Sequence, residues 1–172
     1  MLLVGAAGAG AALASGCGSR PLREKIRKNA QVSRSDIATL NALLDVEHYA
    51  VSAYAAGLPL LDPSWAMIGK QFLGQELAHA NEITELVKGA GGTPRRRAAS
   101  YDLGHPRTHA EALALLETAE RTQMRAYVKL IPTLSGGRTR AALATIFAND
   151  AQHLAVLRLH SGHSLPGPLA LA

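Results

Sequence analysis

The chain is poor in the residues that build oxidised or β-rich domains. Its one cysteine, Cys17, excludes an intrachain disulfide and a rubredoxin-type four-cysteine iron site. Aromatics are 4% of 172 residues, while Ala and Leu are abundant, a balance that disfavours a β-rich core and favours helices. No apolar run approaches the about 20 residues of a membrane-spanning helix. Charged residues are 18% of the chain, with a formal net charge of +5. The basic ones gather between Arg20 and Arg34 and at Arg95, Arg96 and Arg97. Neither group interleaves with aromatics and no groove-reading motif is present, which argues against nucleic acid; a solvated face or attraction to anionic lipid headgroups accounts for the charge. The length and the 48% hydrophobic content suit one domain with a sizeable core.

Residues 2–16 are an uncharged Ala/Gly/Leu run, the profile of a signal-peptide h-region. The small residues before Cys17 resemble a bacterial lipoprotein processing site, in which Cys17 would be lipidated. Leu13 stands one residue further from the cysteine than that pattern has it, and nothing basic precedes Arg20, which fits a start site upstream of Met1. The expectation is a signal peptide over 1–16, a charged tether over 17–33 and a C-terminal tail over 162–172, with the protein held to the membrane from outside the cytoplasm by a lipid anchor. The alternative is an ordinary cleaved signal peptide and a secreted protein.

Between these ends, apolar positions recur in alternating steps of three and four, the seam of a bundle helix. Ile37, Leu40, Leu44, Glu47, Val51, Tyr54 and Leu58 lie on the first seam, after Ser33 or Ser35 as N-cap, and Gly57 and Pro59 mark its end. Asp62-Pro63 opens a second helix, with Trp65, Phe72, Glu76, His79, Ile83 and Leu86 on its seam, and it closes at Gly89, Gly91 and Gly92. Thr108 and Glu111 form a capping box for a third, carrying Leu113, Glu117, Glu120, Met124, Tyr127 and Ile131 until Pro132 kinks or ends it. A fourth, after Gly136-Gly137, carries Leu143, Ile146, Asp150, His153, Leu157 and His160. Two short loops make each pair an antiparallel hairpin. The stretch from Gly89 to Arg107 is long enough to cross a helix of about 36 Å end to end. The predicted fold is therefore all-α: an antiparallel four-helix bundle over 34–161, two helical hairpins joined by a long crossover.

The seams carry the chemistry. Glu47, Glu76, Glu120 and Asp150 stand where leucine belongs, and an uncompensated carboxylate there would cost several kcal/mol or stay protonated. Glu76 with His79, and Asp150 with His153, are carboxylate–x–x–His pairs that share a helix face. Two helices giving one carboxylate each and two giving such a pair is how a four-helix bundle holds two metal ions. Mixed oxygen and nitrogen donors without thiolate suit iron or manganese and argue against structural zinc. The halves also echo one another, since Glu47 precedes Tyr54 by the same step as Glu120 precedes Tyr127. His160 lies too far along its helix for the same ions, His48 falls off the seam, and His105 and His109 have no visible partner. The arginine run reads as a solvated loop.

On these residues, the span from about 34 to 161 resembles the ferritin-like superfamily, specifically bacterial ferritin-like domains of secreted or lipid-anchored proteins. The resemblance implies that Glu47 and Glu120 are terminal ligands, that Glu76 and Asp150 bridge, and that His79 and His153 complete each ion. Asp150 departs from the usual glutamate and is one methylene shorter, which strains a bridge or weakens the second ion. Glu117 reads as a support to the ligands, and Tyr54 and Tyr127 as core tyrosines with hydrogen-bonded hydroxyls. The function implied is a carboxylate-bridged di-metal protein with two irons, or manganese, oxidising Fe(II) or reducing oxygen or peroxide. The anchor suits a monomer or homodimer better than a storage cage, and the protein partner stays unknown. The competing reading is a non-catalytic envelope scaffold or metal-binding protein on the same bundle.

Overall fold

The computed structural model describes residues 32–163; the expected lipidation site Cys17, the expected signal segment and most of the expected tether and tail lie outside them. Among the described residues there are four α-helices, α1 (Ile37–Gly57), α2 (Pro63–Gly89), α3 (His109–Leu130) and α4 (Gly137–His160), with short 3-10 turns at Arg34–Asp36, Leu58–Leu60 and Ile131–Thr133. No strand is present among these residues. No helix among them is long and apolar enough to cross a membrane.

The helix ends follow local chemistry. The Ser33 hydroxyl accepts from Ser35 N–H and starts the first turn, which passes into α1. Pro59 and Pro132 each sit in a 3-10 turn directly after a helix, where a missing N–H is harmless. At α3 the capping box is complete: Thr108 accepts from Glu111 N–H, and the Glu111 carboxylate accepts from Thr108 N–H. Asp62 precedes Pro63 as expected, but its carboxylate caps nothing. Its N–H instead donates to His109 Nδ1 at 3.0 Å. His109, which has no partner visible in the sequence, thus ties the first hairpin to the start of the second.

The crossover, residues 90–108, runs along the whole of α1. It leaves α2 through Gly91, whose φ of 77° suits only glycine without strain. Gly92 lies so close to Ile37 that a Cβ there would fall 2.8 Å from Ile37 Cγ2. Further on, Asn41 Nδ2 donates to the Thr93 carbonyl at 3.2 Å and Asn41 Oδ1 accepts from Arg95 N–H at 2.7 Å. The Arg95 guanidinium pairs with Asp45, so this arginine is a clamp on α1 and not merely a solvated charge. Tyr101 meets Tyr49 edge to face, with ring centroids 5.8 Å apart.

Because the crossover carries the chain from the end where α1 begins to the end where α2 begins, α1 and α3 run antiparallel through the middle of the bundle. Gly57 lies beside Ala112 and Leu116, Tyr54 reaches Glu120, Tyr127 reaches Glu47, and Asp36 accepts from the N–H and hydroxyl of Ser135. Two apolar clusters fill the interior. One contains Leu40, Leu43, Leu44, Ile83, Val87 and Leu143; the other contains Ala53, Trp65, Phe72, Leu113, Leu116 and Leu157. Each fully buried Leu or Ile contributes about 1.5–3 kcal/mol, and the two clusters together stabilise the polar layer held between them. Replacing Asn41 by Ala removes both clip hydrogen bonds and leaves the Thr93 carbonyl and Arg95 N–H unpaired. It should cost about 1–3 kcal/mol in urea unfolding while helix content stays unchanged; an unaltered midpoint would mean the crossover is held elsewhere.

Candidate metal centre

Glu47 on α1, Glu76 and His79 on α2, Glu120 on α3, and Asp150 and His153 on α4 converge in the layer between the apolar clusters. Five of the six are at most 1% exposed, and His79 is 8% exposed. Their ligand atoms form two overlapping groups, each within 4.8 Å: Glu76, Glu120, Asp150 and His153 in one, Glu47, His79 and Asp150 in the other. Asp150 belongs to both.

The imidazoles point between carboxylates rather than at one. His153 Nδ1 lies 3.0 Å from Glu76 Oε1 and 3.2 Å from Glu120 Oε1. His79 Nδ1 lies 3.2 Å from Asp150 Oδ1 and 3.8 Å from both Glu47 Oε2 and Glu76 Oε1. Glu76 Oε1, His79 Nδ1, Glu120 Oε2 and both oxygens of Asp150 are buried without an aligned hydrogen bond. A buried polar atom left unpaired costs about 1–3 kcal/mol. Five around one small volume fit a site whose remaining partners are cations, and the oxygen and imidazole donors fit iron or manganese.

The surrounding side chains hold these groups in place. The Tyr54 hydroxyl donates to Glu120 Oε1 at 2.5 Å, and the Tyr127 hydroxyl donates to Glu47 Oε1, so each tyrosine crosses to the carboxylate of the other half. His153 Nε2 lies 2.8 Å from Gln75 Oε1, an acceptor that keeps the proton on Nε2 and presents Nδ1 to the centre. Phe72 stacks on the His153 ring at 4.0 Å. Gln123, one turn beyond Glu120 and fully buried, donates from Nε2 to Glu76 Oε2 at 2.6 Å and Glu47 Oε2 at 3.1 Å.

Glu117, placed by its seam as a support to the ligands, makes its contacts elsewhere: its carboxylate lies 3.1 Å from His163 Nδ1 and 3.5 Å from Arg158 Nη1. It fastens α3 to the end of α4. His160 lies against Trp65, with ring centroids 3.8 Å apart and the planes tilted by 34°, nearer the bundle end. Gln75 and Gln123 escaped the sequence reading because a glutamine on a helix carries no metal signature. The available signal was that Gln123 lies between Glu120 and Tyr127 where the first half has Ala50.

Without metal the cluster must balance four carboxylates against two imidazoles. Burial pushes Glu47 well above its usual range, with Asp150 and Glu76 adding to the rise. Burial also lifts Glu120 to about 8 and Asp150 to about 6, against the opposing pull of His153 and His79. Burial opposes charge on His79 and His153, but the carboxylates around them override it and hold them at about 10 and about 9. At Glu76 burial again favours protonation, but the neighbouring His153 and His79 imidazoles and the Gln123 hydrogen bond override it and bring the carboxyl to about 2. The raised groups dominate, so the folded metal-free protein binds more protons than the unfolded chain through neutral pH. Its stability should therefore fall as pH rises from about 6 to about 9. Cation binding needs those protons removed, so affinity should rise over the same range. Thermal unfolding with chelator present checks the first sign, and a melting temperature that climbed over that range would contradict it.

The ferritin-like domain family matches residues 35–163. Two solved structures share the fold. A conserved hypothetical protein from Mycobacterium tuberculosis aligns with a TM-score of 0.66 at 21% identity, over 74% of this chain and 94% of that one. A ferritin-like, diiron-carboxylate protein from Bacillus anthracis aligns with a TM-score of 0.52 at 18% identity, over 73% and 89%. No curated protein matches the sequence.

Proposed function

Because the chain belongs to the ferritin-like domain family, we propose that it is a di-iron carboxylate protein of the cell envelope that oxidises Fe(II) at the expense of oxygen or peroxide. The observation that carries this reading is the set of five buried ligand atoms left without aligned hydrogen bonds among six converging side chains. The diiron-carboxylate description of the Bacillus anthracis protein points the same way.

In this reading Glu47, Glu76, His79, Glu120, Asp150 and His153 hold two irons, with manganese as the other candidate; the paired metals supply the electron transfer to the oxidant. The protein supplies the rest. Tyr54 and Tyr127 each hold one oxygen of a terminal carboxylate, which leaves the other oxygen directed inward. Gln75 holds the tautomer of His153, and Phe72 covers that ring. The aliphatic layers above and below exclude bulk water, which strengthens every charge interaction inside. His79 is the most exposed of the six, so its side of the bundle, where α2 and α4 pack loosely, is the route for ferrous ion and oxidant.

The site is also consistent with a metal-free network in which His79⁺ and His153⁺ neutralise the carboxylates, since both imidazoles hold their protons strongly. Anaerobic loading with Fe(II) followed by air separates the two. Two irons per chain and a near-ultraviolet oxo-bridge band support the enzyme, whereas no bound iron with the helices intact leaves a scaffold. Glu76→Ala should abolish loading; unchanged iron content would remove Glu76 from the site.

The envelope location rests on the N-terminal sequence. Lipidation of Cys17 would hold a monomer or homodimer at the membrane. Cys17→Ser should then move the protein from the membrane fraction to the soluble one, and retention in the membrane would rule out this anchor.

A further inference from the structure

The two halves of the bundle repeat closely around the centre, and one buried position breaks the repeat. Glu47 and Tyr54 correspond to Glu120 and Tyr127, and three residues past each glutamate stand Ala50 and Gln123. Both are fully buried. Ala50 offers no polar atom, whereas Gln123 reaches into the centre and donates both N–H groups of its amide to the other half.

The orientation of that amide follows from chemistry. Its two neighbours, Glu47 Oε2 and Glu76 Oε2, are carboxylate oxygens. Only the NH2 end can approach both without repulsion. The other end, Gln123 Oε1, is buried and has no hydrogen-bond partner. Gln123 is thus fixed from one end alone, by the two carboxylates it restrains.

The restraint falls unevenly. Glu76 Oε1 faces His153 Nδ1 at 3.0 Å, among the group formed with Glu120 and Asp150. Glu76 Oε2, the oxygen left to serve the other position, is tied to Gln123 at 2.6 Å. One position therefore gathers four ligand residues, and the other gathers only Glu47, His79 and the shared Asp150.

We propose that Gln123 is a positioning residue that makes the two metal positions unequal. By engaging Glu76 Oε2 with an N–H, it withholds that oxygen from an ion at the Glu47–His79 position, so that an ion binds first at Glu76, Glu120, Asp150 and His153. The second ion binds by displacing the Gln123 hydrogen bond from Glu76. This rests on the di-metal reading above. A hydrogen bond to a charged group has a net worth that corresponds to about tenfold in affinity, so the second ion should bind weaker by about that factor or more.

Anaerobic titration of the whole protein with Co(II), followed by calorimetry and by the visible ligand-field bands, reads the two steps directly. The wild type should show two separated steps. His153→Ala should remove the first and His79→Ala the second. Gln123→Leu, which keeps the apolar stem but donates nothing, should tighten the second step and draw the two together. Gln123→Glu, which can add a carboxylate to the poorer position, should also strengthen the second step. Two indistinguishable steps in the wild type would overturn the proposal and leave the di-metal reading standing. A Gln123→Leu protein that is folded by circular dichroism yet keeps the full separation would do the same. If the leucine variant does not fold, Gln123→Glu decides, and an unchanged second step in that variant would overturn the proposal. Absence of any Co(II) binding by the wild type would overturn both readings.

Discussion

Four carboxylates in the middle of a helical core are the constraint around which the rest of the molecule is arranged. Moving one unpaired carboxylate from water into such a place costs more than several leucines return, so the charges have to be shared among themselves and with cations. The protein meets this by confining them to one layer. Apolar side chains close the layer at both ends, and every carboxylate in it has at least one protein donor nearby: Tyr127 and Gln123 for Glu47, Gln123 and His153 for Glu76, Tyr54 and His153 for Glu120, His79 for Asp150. These donors are too few for eight carboxylate oxygens. The shortfall favours added cations over a network of these side chains alone, since a satisfied network would leave no inward-facing lone pairs.

The crossover is what allows the layer to form. Antiparallel pairing of α1 with α3 sets Glu47 opposite Tyr127 and Tyr54 opposite Glu120, and only a connection that runs the length of the bundle between the hairpins produces that pairing. The anchors along the crossover, Ile37 against Gly92, Asn41 against Thr93 and Arg95, Asp45 against Arg95, and His109 at Asp62, therefore bear on the carboxylate layer although none touches it. A slip of one residue between α1 and α3 would turn each tyrosine away from its carboxylate. Asp36, buried and bonded to Ser135 at the far end of the same pair, fixes that register where the tyrosines cannot reach.

Much of this was legible in the sequence because it depends on periodicity. Helical steps of three and four placed the carboxylates and imidazoles on interior faces, and proline, glycine and the Thr108–Glu111 box marked the ends. Loop length distinguished a crossover from a simple meander. What periodicity cannot show is which neighbour a side chain chooses when two are in reach. Glu117 lies on the same seam as Glu120 but one turn nearer the bundle end, and Arg158 and His163 claim it there. Asp62 has the sequence position of a cap, yet its N–H and carboxylate are turned toward His109. Asn41, Gln75 and Gln123 are amides whose importance comes entirely from partners far away in the chain. Their helical positions were readable, but their roles were not.

A doubled half-site invites the expectation of two equal ions, and the chain departs from equality at several points of one centre. Aspartate replaces glutamate at position 150, glutamine faces alanine across the repeat, and His153 has a Gln75 acceptor and a Phe72 cover, whereas His79 is the ligand nearest solvent. These differences act in one direction. They make the His153 side the more rigid and better shielded, and the His79 side the more open. On the proposed di-metal reading, a centre that handles a soluble ion as both ligand and reactant needs one position that retains its occupant and one that exchanges it. On that reading, the asymmetry in donors, cover and exposure gives such a division without any change in the backbone.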